Sequence, residues 1–278
     1  MKPIWFDTSI QQFKNAPDIQ AVGLHSATMM SSWGFFRKLG SEYDFSHIDM
    51  DTCKRVANDP KFWLGKEANM IVLDLEVIDL HSDDIPYRDH VHDQFIEAVQ
   101  IYRQAHPGVA IGYYSEMPQN AFYPPLYGTD PVWDHYEPYH KRWTANNKHV
   151  LTNLDDATLN KSRKGLCSVV DRVFPSCYSG SKAALPMPEN IRWWKLSHDG
   201  NIAESLQYQK PIIAYLTPQY QGRGEYFPAG VWKEMLLHSL NNKNVDGVCV
   251  YQAVVAGTEF DPAANWWTET LAAIKELA

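Results

Sequence analysis

Two carboxylates separated by one residue, Asp74 and Glu76, stand directly after the apolar run Met70–Leu73. An unbroken run of that length suits a parallel strand covered on both faces. In a strand, residues i and i+2 share a face, with Cα atoms about 7 Å apart. Both acids would then project together, while Leu73, Leu75 and Val77 take the opposite face. Parallel α/β proteins bind ligands at the C-terminal ends of their strands, which is where this pair would sit. Adjacent acids repel, so one holds its proton to higher pH, as a general acid must. A lone Asp-x-Glu can equally cap the next helix or pair with an arginine, so the surrounding elements have to decide.

Seven short apolar runs read as buried strands: Ile4–Thr8, Ala21–His25, Met70–Glu76, Val109–Ser115, Val169–Tyr178, Ile212–Thr217 and Gly247–Gln252. Between them, helical periodicity predicts Asp89–Ala105, stopped by Pro107-Gly108, then Gly230–Leu240 and a closing helix Ala263–Leu277. Strands alternating with helices over this length predict one α/β domain spanning 1–278. Its expected form is a distorted TIM-like barrel of seven or eight parallel strands. A doubly wound open sheet is the competing topology, but no GxGxxG or phosphate-binding loop supports nucleotide binding. The segment 117–166 is rich in proline and aromatics, among them Trp133 and Tyr136. Long loops in compact domains are usually functional, so it reads either as a wall of the cleft or as a packed excursion.

The net charge of −8, with no basic cluster, argues against nucleic acid and anionic membranes as partners. No stretch approaches the ~18 apolar residues of a membrane span. The N-terminus lacks a signal-peptide apolar run, which predicts a cytoplasmic protein, or a secreted one whose leader has been removed. Cys53, Cys167, Cys177 and Cys249 have no CxxC spacing and read as buried free thiols. Asp79, His81, Asp83, Asp84, Asp89, His90, His92 and Asp93 are dense enough to raise a metal site. Yet His90 and His92 face apart at a helix start, and no HExxH occurs. No metal or cofactor is expected. A serine or cysteine nucleophile lacks a GxSxG or Cys-His signature.

Each strand end carries polar or aromatic residues: Asp7, His25, Tyr113 with Tyr114 and Glu116, Tyr178, Tyr215, and Tyr251 with Gln252. Gathered at one rim, they would line a pocket of phenols and acids without concentrated positive charge. That chemistry suits a neutral, hydroxyl-rich ligand, with aromatic rings stacking on sugar faces.

The order of these pieces resembles the hyaluronidase family of glycoside hydrolases. The matching pieces are Asp74-Leu75-Glu76, Gly112-Tyr113-Tyr114-Ser115-Glu116-Met117-Pro118, Pro175-Ser176-Cys177-Tyr178, Tyr215-Leu216-Thr217-Pro218-Gln219-Tyr220 and the strand end Tyr251-Gln252. The resemblance implies a distorted barrel with Glu76 as proton donor. Asp74 and Tyr178 would steer a substrate acetamido group that itself attacks the anomeric carbon, and Tyr215 would help hold its oxygen. The chain departs from the family at Leu75, where an aromatic is usual, and in lacking evident disulfide cysteines and a basic groove. A second resemblance is to family 25 lysozymes, through Asp7-Thr8-Ser9 and the later Asp-x-Glu. Without substrate assistance a second carboxylate is needed, about 5–5.5 Å from the acid for retention or about 6.5–9.5 Å for inversion. Glu116 is the candidate for that role. The expected function is therefore hydrolysis of a glycan containing an N-acetylhexosamine, with Glu76 protonated and Asp74 charged beside it. The alternatives are a muramidase and a carbohydrate-binding barrel without catalysis.

Overall fold

The computed structural model describes residues 2–62, 69–80, 82, 84–119, 147–148, 154–156, 161–163, 165–179, 187–220 and 224–278. Trp133, Tyr136 and nearly all of the aromatic segment lie outside the described residues.

The chain alternates short strands with helices. The strands are β1 (Ile4–Phe6), β2 (His25–Ser26), β3 (Thr28–Met30), β4 (Lys38–Leu39), β5 (Glu42–Tyr43), β6 (Met70–Leu73), β7 (Ala110–Tyr113), β8 (Leu154–Asp156), β9 (Lys161–Arg163), β10 (Ile213–Leu216) and β11 (Gly247–Val250). The α-helices are α1 (Met50–Asn58), α2 (Ile85–Ala105), α3 (Met187–Ser205), α4 (Val231–Asn241) and α5 (Asn265–Leu277). Two parallel sheets result, ordered β10-β11-β1-β2 and β3-β6-β7. Only Ala27 separates β2 from β3, so one extended stretch serves both sheets. On the other side, single parallel bridges join Tyr114 to Phe174 and Ser176 to Tyr215, linking β7 through the segment 173–176 to β10. Pro175 has no N–H to give to a ladder, which accounts for bridges there in place of a continuous strand.

Several boundaries differ from the sequence-based expectation. The second strand begins at His25, where a strand ending at His25 was expected. Residues Gln20–Val22 form a 3-10 turn closed by Gly23 at φ +79°. Glycine adopts that left-handed backbone without the steric cost a Cβ would bring. Helix α2 starts four residues early because the Asp84 side chain accepts from the Tyr87 N–H and Pro86 fits the first turn. Helix α1, capped by Asp49 through the N–H groups of Asp51 and Thr52, was not anticipated, nor was α3. Val77 is 53% exposed in a turn, so it does not share the buried face of Leu73 and Leu75.

Alternate strand residues build two cores. Ile4, Phe6, Ile71, Leu73, Leu75, Ile111, Tyr113, Ala214, Leu216, Val248 and Val250 pack with the helices. Trp5, Ala27, Met70, Val72, Tyr114, Phe174, Ile213, Tyr215 and Cys249 form a second cluster that contains no helix residue. The four cysteines are free and buried, and no described helix is long and apolar enough to cross a membrane.

Candidate active site

Continuing the period-two alternation past the strand ends places the site. On the side of the second cluster, Trp5 leads to Asp7, Met70 and Val72 lead to Asp74 and Glu76, Phe174 leads through Ser176 to Tyr178, and Cys249 leads to Tyr251. Asp7, Asp74, Glu76, Tyr114, Tyr178 and Tyr251 all line one cavity of about 560 Å³. Thr8, Ser9, Gln11, Gln12, Met29, Ser31 and Trp33 complete the lining. Asp74 still pairs with the sheet, its N–H donating to the Met30 carbonyl at 2.8 Å. Leu75, between the acids, is fully buried in the outer core, which anchors both carboxylates on the cavity side.

Three carboxylates and no lysine or arginine line the cavity among the described residues. Asp74 is half-buried, and its pKa is raised to about 7, first by loss of hydration, then by the Glu76 charge; Glu116 and Asp7 add smaller increments. Glu76 is exposed at the cavity, yet protein crowds its carboxylate. Its pKa is raised, first by desolvation and then by Glu116, against a lowering hydrogen bond from Ser115. The acid expected to remain charged, Asp74, is thus a strong proton holder, because it is the more deeply placed of two mutually repelling groups. Asp7 is fully enclosed and raised to about 6 by burial, although Ser9 and Tyr215 both donate to it.

The phenols form a cluster. Tyr114 lies 4.9 Å from Tyr215 and 5.7 Å from Tyr178, ring centre to ring centre, and Tyr178 stacks on Tyr251 at 6.0 Å and 20°. The Tyr114 hydroxyl pairs with Ser176 Oγ at 2.9 Å. Burial holds the Tyr114 and Tyr178 phenols well above their ordinary range, so they stay neutral and keep their O–H groups as donors.

Other expected site residues lie elsewhere. Tyr113 has the opposite parity to Tyr114. It is buried against α2, where its hydroxyl donates to the Phe95 carbonyl at 2.8 Å. His25 pairs with Trp5 at the start of β2 and is exposed. It lies four residues before the lining Met29, about 13 Å down the strand at ~3.3 Å per residue. Tyr215 belongs to the floor beneath the cavity. Its hydroxyl is committed to Asp7 at 2.6 Å, so it is not available to a ligand's acetamido oxygen. Glu116 would share the parity of Tyr114, but Ser115 at φ +63° breaks the alternation. Glu116 is instead 4% exposed and absent from the lining, near enough only to raise the other acids. Gln252 is fully buried on the helix side of the strand end. Its N–H donates to Ser9 Oγ and its side chain does not line the cavity.

The residues missed by sequence reasoning come from two places. Gln11 and Gln12 lie on the 3-10 turn Thr8–Gln12, whose cap is Asp7 accepting from the Ser9 N–H. The Asp-x-Ser pattern is a legible signal for that turn. Met29 lies in β3, and Ser31 and Trp33 follow it; the misplaced second strand concealed all three.

In class, the chain is an α/β protein of parallel sheets and outer helices, with an acidic, tyrosine-lined cavity at its strand ends. Among solved structures it is similar to bee venom hyaluronidase, with a TM-score of 0.53 and 13% identity over 100% of this chain and 97% of that one. It is also similar to bee venom hyaluronidase in complex with a hyaluronic acid tetramer, with a TM-score of 0.54 and 12% identity over 100% of this chain and 96% of that one. No protein-family model and no curated protein matches the chain.

Proposed function

We propose that this protein is a glycoside hydrolase whose strands close into a distorted seven-stranded barrel. In this reading 1–278 is one catalytic domain, and the substrate is a neutral glycan containing an N-acetylhexosamine. The observation that carries the reading is the placement of Asp74 and Glu76, both with raised pKa values, on one cavity beside Tyr178 and Tyr251. The absence of a lining cation among the described residues favours an uncharged sugar over a uronate.

Glu76 is the proton donor, because it is the acid exposed to the cavity. It gives its proton to the glycosidic oxygen as the C1–O bond breaks. The substrate's acetamido oxygen attacks C1 from the other face, closing an oxazoline ring. Asp74 faces the acetamido N–H and stabilises the positive charge that develops there, while the Tyr178 hydroxyl donates to the acetamido group. Glu76, now a carboxylate, takes a proton from water as that water adds to C1, and the ring reopens with retained configuration. The proton held by Asp74 in the free site passes to Glu76 when the acetamido N–H occupies Asp74. Substrate assistance is favoured over a second carboxylate because Glu116 is buried off the lining and Asp74 lies only two residues from Glu76, just past the end of β6.

The test is a panel of chromogenic and oligomeric glycosides with Glu76→Gln as control, alongside a thiazoline mimic of the oxazoline. Turnover of N-acetylhexosaminides, blocked by the thiazoline, is expected. Hydrolysis of plain glucosides insensitive to the thiazoline rejects the acetamido route. Saturable sugar binding without turnover in the parent rejects hydrolysis altogether.

A further inference from the structure

Outside the cavity, α3 and α4 bring together one group of side chains whose chemistry the hydrolase reading does not use. Asp199 Oδ1 lies 2.9 Å from His198 Nδ1 and 2.8 Å from His238 Nε2. The three potential ligand atoms all fall within 4.8 Å of one another. We propose that His198, Asp199 and His238 bind a divalent first-row transition ion, with water in the remaining positions.

Donor chemistry comes first. Two imidazoles and one carboxylate are a ligand set that zinc, nickel and iron accept.

Geometry agrees. Ligand atoms about 2.1 Å from a shared ion and at near right angles to each other are separated by about 3 Å. The two edges through Asp199 Oδ1 have that length. Right angles suit a six-coordinate ion with three waters better than a closed tetrahedral site. The outer contacts are also in place. His198 Nε2 meets Ser239 Oγ at 3.0 Å, so the ring can turn its other nitrogen to an ion while Nε2–H donates to the serine. Asn242 Nδ2 points at Asp199 Oδ1 from 3.5 Å. Trp194 packs on both rings, 5.0 Å from His198 and 5.5 Å from His238, and so limits their rotation. One side stays open to solvent, since the side chains of Asp199 and His238 retain 52% and 25% of their accessible area.

The proposal is independent of the hydrolase assignment, because neither histidine nor Asp199 lines the cavity. Its test is calorimetric titration of the full chain with Zn²⁺ and Ni²⁺, comparing the parent with Asp199→Ala and His238→Ala. Lys195→Ala serves as a neighbouring control, since Lys195 bridges the same two helices through Glu234. One saturable site is expected in the parent and in the control. Each ligand variant should weaken it by about 10-fold or more, at least the loss that follows removal of an outer-shell partner. Both altered side chains are partly exposed, and the circular dichroism melt of each variant establishes that it folds. Absence of saturable binding, or binding undiminished in both folded variants, overturns the proposal.

Discussion

The hydroxyl of Tyr215 donates a 2.6 Å hydrogen bond to the carboxylate of Asp7, joining two residues 208 positions apart beneath the acidic cavity. The bond ties the end of β1 to β10 on the face of the second cluster, across the intervening β11. It also stabilises an enclosed acid that pays heavily in lost hydration.

That balance gives a stability prediction. The pKa of Asp7 rises from 3.8 in the unfolded chain to about 6 in the fold. The folded state therefore binds the proton more tightly. The stability contributed by protonated Asp7 is full below pH 3.8 and is lost as pH rises through 6. A shift of that size corresponds to about 3 kcal/mol at most. Asp7→Asn does not titrate, so its stability relative to the parent should improve as pH is raised from 4 to 7. Paired denaturant melts at several pH values provide the check; a difference that does not vary with pH defeats the argument.

Glu76→Gln should lose about 10²–10⁴-fold in kcat on an unactivated glycoside, the usual contribution of a positioned acid. Because Glu76 is exposed, Tm should change little. Turnover close to that of the parent removes Glu76 from the donor role.

The pH profile follows from the shared proton. Asp74 is raised to about 7 and Glu76 is also raised, so the pair still holds a proton near neutrality. kcat/KM should fall as pH rises above about 7. Asp74→Asn removes the neighbouring negative charge, so the alkaline limb should move to lower pH. A limb that stays in place in the folded variant assigns it to another group.

Tyr178 separates ring from hydroxyl. Tyr178→Ala removes the ring stacked on Tyr251 and should raise KM about 2- to 10-fold, the range that an aromatic contact supplies. Tyr178→Phe keeps the ring and should lower kcat with little change in KM. Equal effects of the two variants on KM point to a purely structural ring.

Gly112 tests the fold away from the chemistry. A Cβ built there meets the Arg172 carbonyl oxygen at 2.2 Å and the Phe174 ring at 2.8 Å. Gly112→Ala should destabilise by about 1–3 kcal/mol through overpacking, read from urea melts. An unchanged midpoint means that the segment 172–174 does not approach β7 this closely.

Local pattern alone determined much of this protein. The apolar runs at Met70–Leu73, Ile213–Leu216 and Gly247–Val250 became strands because residues covered on both faces need no polar alternation. Asp74 and Glu76 line one cavity, as their i, i+2 spacing predicts, although β6 ends at Leu73 and Glu76 stands in a turn. Tertiary structure decided the rest. Tyr113 and Tyr114 read alike in sequence, and only the arrangement of α2 and the facing strands sends one to Phe95 and the other to the cavity. A single left-handed residue, Ser115, removed Glu116 from the site, and a backbone angle of that kind carries no compositional signal when the residue is not glycine. How deep each acid sits, and so what raises its pKa, depends on burial and on charges from distant strands. The meeting of His198 and Asp199 with His238, about forty positions away, depends on how α3 packs on α4. Short-range spacing sets which way a side chain points along its own element; what it meets there is set by the elements that pack against it.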